Sequence, residues 1–159
     1  MKAKDIDTII VHCTASKAKQ VLHASQIDKM HRELGWKCIG YHYVVLQDGT
    51  IEKGRPDTME GAHCNLRDAR GISYNKHSIG IVYVGGLSDK GKAADTRTPQ
   101  QKEALLRLIQ YLKRIYPSVR QVIGHRDASP DLNHDGKVTP NEWVKQCPCF
   151  DAKAAYQNV

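Results

Sequence analysis

The sequence contains no apolar run approaching the roughly 20 residues needed to span a membrane, so no membrane insertion is expected. Its first residues, Met1–Asp7, lack the apolar segment of a secretory signal. Aromatics make up only 6%, with a single Phe, and no dense Lys/Arg run occurs, so the stacking and phosphate-binding pattern of a nucleic-acid binder is missing. The five cysteines are an odd number, and Cys147 and Cys149 are too close in sequence to bridge comfortably, which argues against a disulfide framework. Cys13, Cys38 and Cys64 read as small buried hydrophobes of a protein born in a reducing compartment. Internal repeats and interdomain linkers are also lacking.

What remains is an ordinary globular composition: 159 residues, 40% hydrophobic and 26% charged. A chain of this size fits one domain and buries about two-thirds of its unfolded surface. A monomer is expected. The net charge of +7 favours polyanionic surroundings such as nucleic acid, a membrane surface or an anionic cell wall, without choosing among them.

Asp7–His12 is a short β-branched run and predicts a buried strand with His12 at its C-terminal end. Ser25 is placed as the cap of a helix whose stripe is Ile27, Met30 and Leu34, ended by Gly35, with His31 as a packing or edge residue. Gly40–Gln47, an Asp48-Gly49 turn and Thr50–Lys53 predict a hairpin whose first strand is opened by Tyr41. Gly54–Asn75 reads as a long surface loop covering a site. Ser78–Val84 is a further strand, followed by Gly85-Gly86 and a polar loop over Leu87–Arg97. Thr98 with Gln101 forms a capping box for a helix reaching about Tyr116, with Leu105, Leu108, Ile109, Leu112 and Ile115 buried. Arg120–Gly124 predicts a strand ending at His125, then short helices over Glu142–Lys145 and Asp151–Gln157. Strands alternating with helices give an α/β single layered domain, a central mixed β-sheet flanked by helices. Ligands of such sheets gather at the strand C-terminal ends, where His12 and His125 both fall.

Two imidazoles and the thiolate of Cys147 make a plausible tetrahedral zinc set with one position open for chemistry. If residues 145–147 are extended, Lys145 and Cys147 point the same way, which puts an ammonium where an oxyanion develops. Each residue also has an ordinary reading, as a core His, a buried thiol or a solvated charge. The spacing by itself is no compact zinc signature.

Five segments carry a resemblance. Val-His-Cys-Thr-Ala-Ser (11–16), Gly-Tyr-His-Tyr (40–43), Asp-Gly-Thr-Ile-Glu-Lys-Gly-Arg (48–55), Ser-Ile-Gly-Ile-Val-Tyr-Val-Gly-Gly (78–86) and Lys-Gln-Cys-Pro-Cys-Phe-Asp (145–151) resemble, in order, the phage-lysozyme type of N-acetylmuramoyl-L-alanine amidase. Peptidoglycan recognition proteins share that fold. The resemblance implies a single amidase domain over residues 1–159, zinc at His12, His125 and Cys147, and catalytic partners Tyr41 and Lys145. It implies hydrolysis of the amide between the lactyl group of N-acetylmuramic acid and L-alanine, with Lys145 stabilising the oxyanion and Tyr41 orienting water or moving protons. The partner is bacterial peptidoglycan, and no nucleic acid is expected. An endolysin-like protein made in a bacterial cytoplasm, acting on the wall after release, fits this picture. His63 and Asn75, in or beside the long loop, are candidate substrate contacts. A non-catalytic peptidoglycan-binding module is the alternative, against which the retained Cys147 speaks. A cysteine hydrolase using Cys147 and His125 is a third reading.

The simplest members of that family have a much shorter link between His125 and Cys147. The inserted segment 131–142 matches the calcium-loop pattern D-x-[DN]-x-[DN]-G-x5-E, with Asp131, Asn133, Asp135, the Lys137 carbonyl and Glu142 as ligands. No entering helix precedes it. A polar turn that binds nothing has the same composition.

Overall fold

In a computed structural model describing residues 1–159, the strands are β1 (Thr8–Cys13), β2 (Ser16–Lys17), β3 (Tyr43–Val45), β4 (Ile51–Lys53), β5 (Ser78–Tyr83), β6 (Gly86–Leu87) and β7 (Gln121–Gly124). The helices are α1 (Ala24–Glu33), α2 (Pro99–Ile115) and α3 (Ala152–Ala155). Five strands form one mixed sheet in the order β4-β3-β5-β1-β7, and β2 pairs with β6. The pairs β3–β5, β5–β1 and β1–β7 are parallel, and β4 is antiparallel to β3 at the edge.

The unbroken apolar run of β1 follows from its central position, since both of its faces are covered. Ile9, Val11 and Cys13 point to a core shared with Leu105, Leu108, Ile109 and Leu112 of α2. Ile10 points the other way, to a small cluster with Cys64, Tyr74 and Ile123. On that second face Val44 and Val82 pack with Ile27 of α1 in a third cluster. His12 follows Ile10 by two residues, so it belongs to the face that α2 does not cover.

The helix over Pro99–Ile115 forms as its sequence predicts. The Thr98 hydroxyl accepts from Gln101 N–H at 3.0 Å, and the Gln101 side chain accepts from Thr98 N–H at 3.0 Å. Ile115, expected on the buried face, is exposed at the last residue of the helix. In α1 the cap is His23 rather than Ser25: Gln26 Oε1 accepts His23 N–H at 2.8 Å. Of its expected stripe only Ile27 is buried, while Met30 and Leu34 face outward. The helix is one-sided because its opposite turn is tied by polar bonds, with Asp28 Oδ1 accepting Ile39 N–H at 2.7 Å and His31 Nδ1 accepting Gly40 N–H at 2.9 Å. The hairpin turns at Asp48-Gly49 as expected, but its first strand begins at Tyr43, leaving Tyr41 ahead of it.

The helix expected over Glu142–Lys145 does not form. A single 3-10 turn covers Pro140–Glu142, and Trp143 is already extended at φ −65, ψ 120. The chain straightens there and returns toward His125, where Arg126 N–H donates to the Cys147 carbonyl at 2.8 Å. All five cysteines are free; Cys13 and Cys64 are buried as expected, whereas Cys38 is only half-buried. No helix is long and apolar enough to cross a membrane.

Candidate active site

His12 and His125 arrive from neighbouring parallel strands. His12 is the penultimate residue of β1 and His125 directly follows β7, so the sheet register brings two imidazoles to one end. Their ring centroids are 4.8 Å apart. Cys147 comes in from the C-terminal segment, and its Sγ accepts Cys13 N–H at 3.3 Å and lies 3.8 Å from His12 Nδ1. One donor atom from each of His12, His125 and Cys147 lies within 4.8 Å of the others.

The donor set fits a metal ion. Tetrahedral nitrogen and thiolate ligands of zinc stand about 3.5 Å from each other, close to the separation of His12 Nδ1 from Cys147 Sγ. A ligand imidazole must be neutral. Burial, followed by the nearby His63, His125 and Lys145, holds the His12 pKa well below the ordinary histidine value.

Beside the cluster opens a cleft of about 560 Å³ whose walls include Trp36, His63, Asn75, His125, Val144 and Lys145. Lys145 is exposed and lines this cleft. The Tyr41 ring stands 5.2 Å from that of His12. Burial, and then the neighbouring thiols of Cys147 and Cys13, push its pKa upward, so the phenol keeps its proton at working pH. His31 supports it. The His31 ring lies between Trp36 at 4.6 Å and Tyr41 at 5.7 Å, a positioning contact that the helical pattern around His31 did not disclose.

The two candidate substrate contacts both border the cleft, but their side chains bond to the scaffold. Asn75 Oδ1 accepts His63 N–H and Cys64 N–H, each at 2.9 Å. His63 is buried, and its Nδ1 lies 2.9 Å from His12 Nε2. Nothing in the sequence spacing signals this bond, which joins residues 51 positions apart.

In the inserted segment the acidic side chains hold their own backbone. Asp131 Oδ2 accepts Gly136 N–H at 2.8 Å, Asn133 Oδ1 accepts Asp135 N–H at 3.0 Å, and Asp135 Oδ1 accepts Lys137 N–H at 2.8 Å. Glu142 takes Leu132 N–H and Thr139 N–H, each at 2.8 Å. The Thr139 amide is the main reason its carboxyl titrates below the usual range. Asp131 Oδ1 is the exception, a buried oxygen with no partner.

The site's histidines also set a pH limit on stability. His42 is wholly buried, its Nδ1 accepting Gly80 N–H at 3.0 Å, and burial pushes its pKa down to about 4. The unfolded chain binds this proton more tightly, so its contribution is complete above about pH 6.5 and is lost on acidification toward 4. That difference corresponds to about 3 kcal/mol for His42 alone, and His12 and His63 shift in the same direction. Denaturant titrations of the metal-free protein at pH 7 and pH 4 are expected to differ by at least that amount, in favour of pH 7. Equal midpoints would contradict the assignment.

The family model for N-acetylmuramoyl-L-alanine amidase matches residues 2–148. The chain belongs to this amidase family. The endolysin of Escherichia phage T7 is 36% identical over 147 residues, covering 92% of this chain and 83% of the relative. Among solved structures, the amidase LysC from Clostridium intestinale superposes with a TM-score of 0.67 at 25% identity, covering 94% of this chain and 80% of LysC. Bumblebee PGRP-SA gives the same TM-score and identity, with 97% and 81% covered. The amidase-family fold therefore agrees with the architecture expected from the alternation of strands and helices. The cluster lies at the carboxyl end of the parallel strands β1 and β7.

Proposed function

We propose that this amidase-family chain is a zinc hydrolase of bacterial peptidoglycan, cutting the amide between the lactyl group of N-acetylmuramic acid and the L-alanine of the stem peptide. The observation that carries the reading is the convergence of His12, His125 and Cys147 donor atoms within 4.8 Å at the wall of an open cleft. His12, His125 and Cys147 would hold the zinc, which would supply Lewis acidity for the scissile carbonyl and for an attacking water. The chain's own groups do the rest. His12 stays neutral because it is buried, Lys145 offers a cation to the oxyanion that develops as the amide carbon becomes tetrahedral, and the Tyr41 phenol donates a hydrogen bond that orients water or the leaving nitrogen. The 36%-identical endolysin supports a role at the cell wall after release from the cytoplasm.

A protein that only bound peptidoglycan would have no need for a convergent thiol and two imidazoles. Digestion of purified muropeptides separates the two readings. The expected products are stem peptides with a free L-alanine amino terminus and intact glycan strands. Unaltered muropeptides retained by the protein would leave the binding module standing.

We also infer that residues 131–142 take a calcium ion, with Asp131 Oδ1 as the oxygen left free for it. A ligand at a hundred times its dissociation constant stabilises by about 2.7 kcal/mol, which raises the melting temperature of a domain this size by roughly 5–10 °C. Added calcium at fixed zinc is the measurement. A melting temperature unmoved by millimolar calcium would make the segment a turn held by its own hydrogen bonds.

A further inference from the structure

The bond between His63 and His12 belongs to a chain whose direction can be read. Ser78 has one hydroxyl proton, and it donates that proton to the Tyr74 carbonyl at 2.6 Å. Its Oγ can therefore only accept from His63 Nε2, 3.4 Å away. A neutral imidazole that carries its proton on Nε2 accepts at Nδ1, and His63 Nδ1 faces His12 Nε2 at 2.9 Å. His12 must then carry its proton on Nε2, which leaves the Nδ1 lone pair free. Nδ1 is the atom turned toward Cys147 Sγ.

The fold makes room for this arrangement. A Cβ built on Gly80 would fall 2.4 Å from His63 Cδ2, and one built on Gly61 would meet the same atom at the same distance. The His63 ring thus lies in a slot that two glycines leave open. Its backbone is pinned from below, where Asn75 Oδ1 takes its N–H. The His63 side chain is buried, so its ring nitrogens are left to Ser78 and His12. Ser78 is fully buried, so no bulk water competes for the end of the chain.

We propose that His63, ordered by Ser78, is a positioning residue that fixes the Nε2-protonated tautomer of His12 and so presents Nδ1 to the metal. This inference rests on the zinc reading above and changes the role of His63 from a substrate contact to a support. Metal-ligating histidines commonly give their second ring N–H to a carboxylate or carbonyl. Here the acceptor is a neutral imidazole, which orients the ligand without adding negative charge to the site.

The test is zinc affinity of the full-length protein, measured by competition with a chromophoric chelator, in wild type, His63→Ala, His63→Gln and Ser78→Ala. Loss of an outer hydrogen-bond partner typically costs 10–100-fold in metal affinity, and that loss is expected for His63→Ala. His63→Gln, whose amide oxygen can accept from His12 Nε2–H, should recover part of it, and Ser78→Ala should show a smaller loss. Wild-type affinity in a folded His63→Ala variant would overturn the proposal, as would equal losses in His63→Ala and His63→Gln. Nitrogen-15 NMR of the wild-type imidazoles gives a reading that needs no variant and no bound zinc: His12 is expected to be protonated on Nε2. Protonation on Nδ1 would overturn the proposal by itself. If the wild type bound no zinc, the hydrolase reading would fall while the tautomer measurement still decided the role of His63.

Discussion

Replacing Cys147 with alanine is expected to abolish zinc retention and lower peptidoglycan amidase turnover by about 10³-fold or more, since several kcal/mol of metal assistance are lost and each 1.36 kcal/mol is a factor of ten. The fold should survive the change. The Cys147 backbone stays tied through its carbonyl to Arg126 N–H, and Tyr83 OH still donates to the Pro148 carbonyl at 2.7 Å. One buried group does lose its acceptor, the Cys13 amide that points at the sulfur, at a cost of about 1–3 kcal/mol. Stability and activity must therefore be measured on the same preparation. Cys149→Ala is the control. Its Sγ lies 3.8 Å from Cys13 Sγ and 3.4 Å from the Gly86 carbonyl, outside the triad of donors, so zinc content should be unchanged. Full turnover in folded Cys147→Ala would end the metal reading, and so would equal zinc loss in both variants.

Lys145→Ala is expected to separate binding of the metal from use of it. Its ammonium reaches the cleft but is not one of the clustered donors, so the variant should hold zinc as the wild type does. Removing one group that stabilises an oxyanion costs about 10²–10³ in kcat, and the loss should appear in kcat with KM little changed. The side chain is exposed and leaves no cavity, so the melting temperature should move by under a degree or two. An unchanged kcat would remove Lys145 from the mechanism, and a fall in KM-dependent binding alone would make it a substrate contact.

The legible parts of this molecule are those where local chemistry and tertiary packing agree. The helix over residues 99–115 is written in its cap, its first-turn proline and its apolar spacing, and it forms within a residue of expectation. β1 was legible because a run of β-branched residues with no polar alternation can only be buried on both faces. His12 and His125 could be placed at the ends of apolar strands from sequence, but that the two strands are parallel neighbours is visible only in the sheet. Other features required three dimensions. Met30 and Leu34 match a helical stripe yet face solvent, because Asp28 and His31 on α1 are committed to the Ile39 and Gly40 amides. The expected helix after residue 142 gives way to extended chain that must travel back to His125. His63 and Asn75 sit in or beside a loop without periodicity and His31 beside a helical stripe, and their hydrogen-bond partners lie 9 to 51 residues away, so neither composition nor spacing disclosed these bonds.

The most direct test of the account is X-ray absorption at the zinc edge of the purified, zinc-loaded protein. Two imidazoles and one thiolate predict nitrogen scatterers near about 2.0 Å and a single sulfur near about 2.3 Å, with the sulfur shell disappearing in Cys147→Ala. A first shell made only of nitrogen and oxygen, or a sulfur shell that persists after that substitution, would contradict the proposed site.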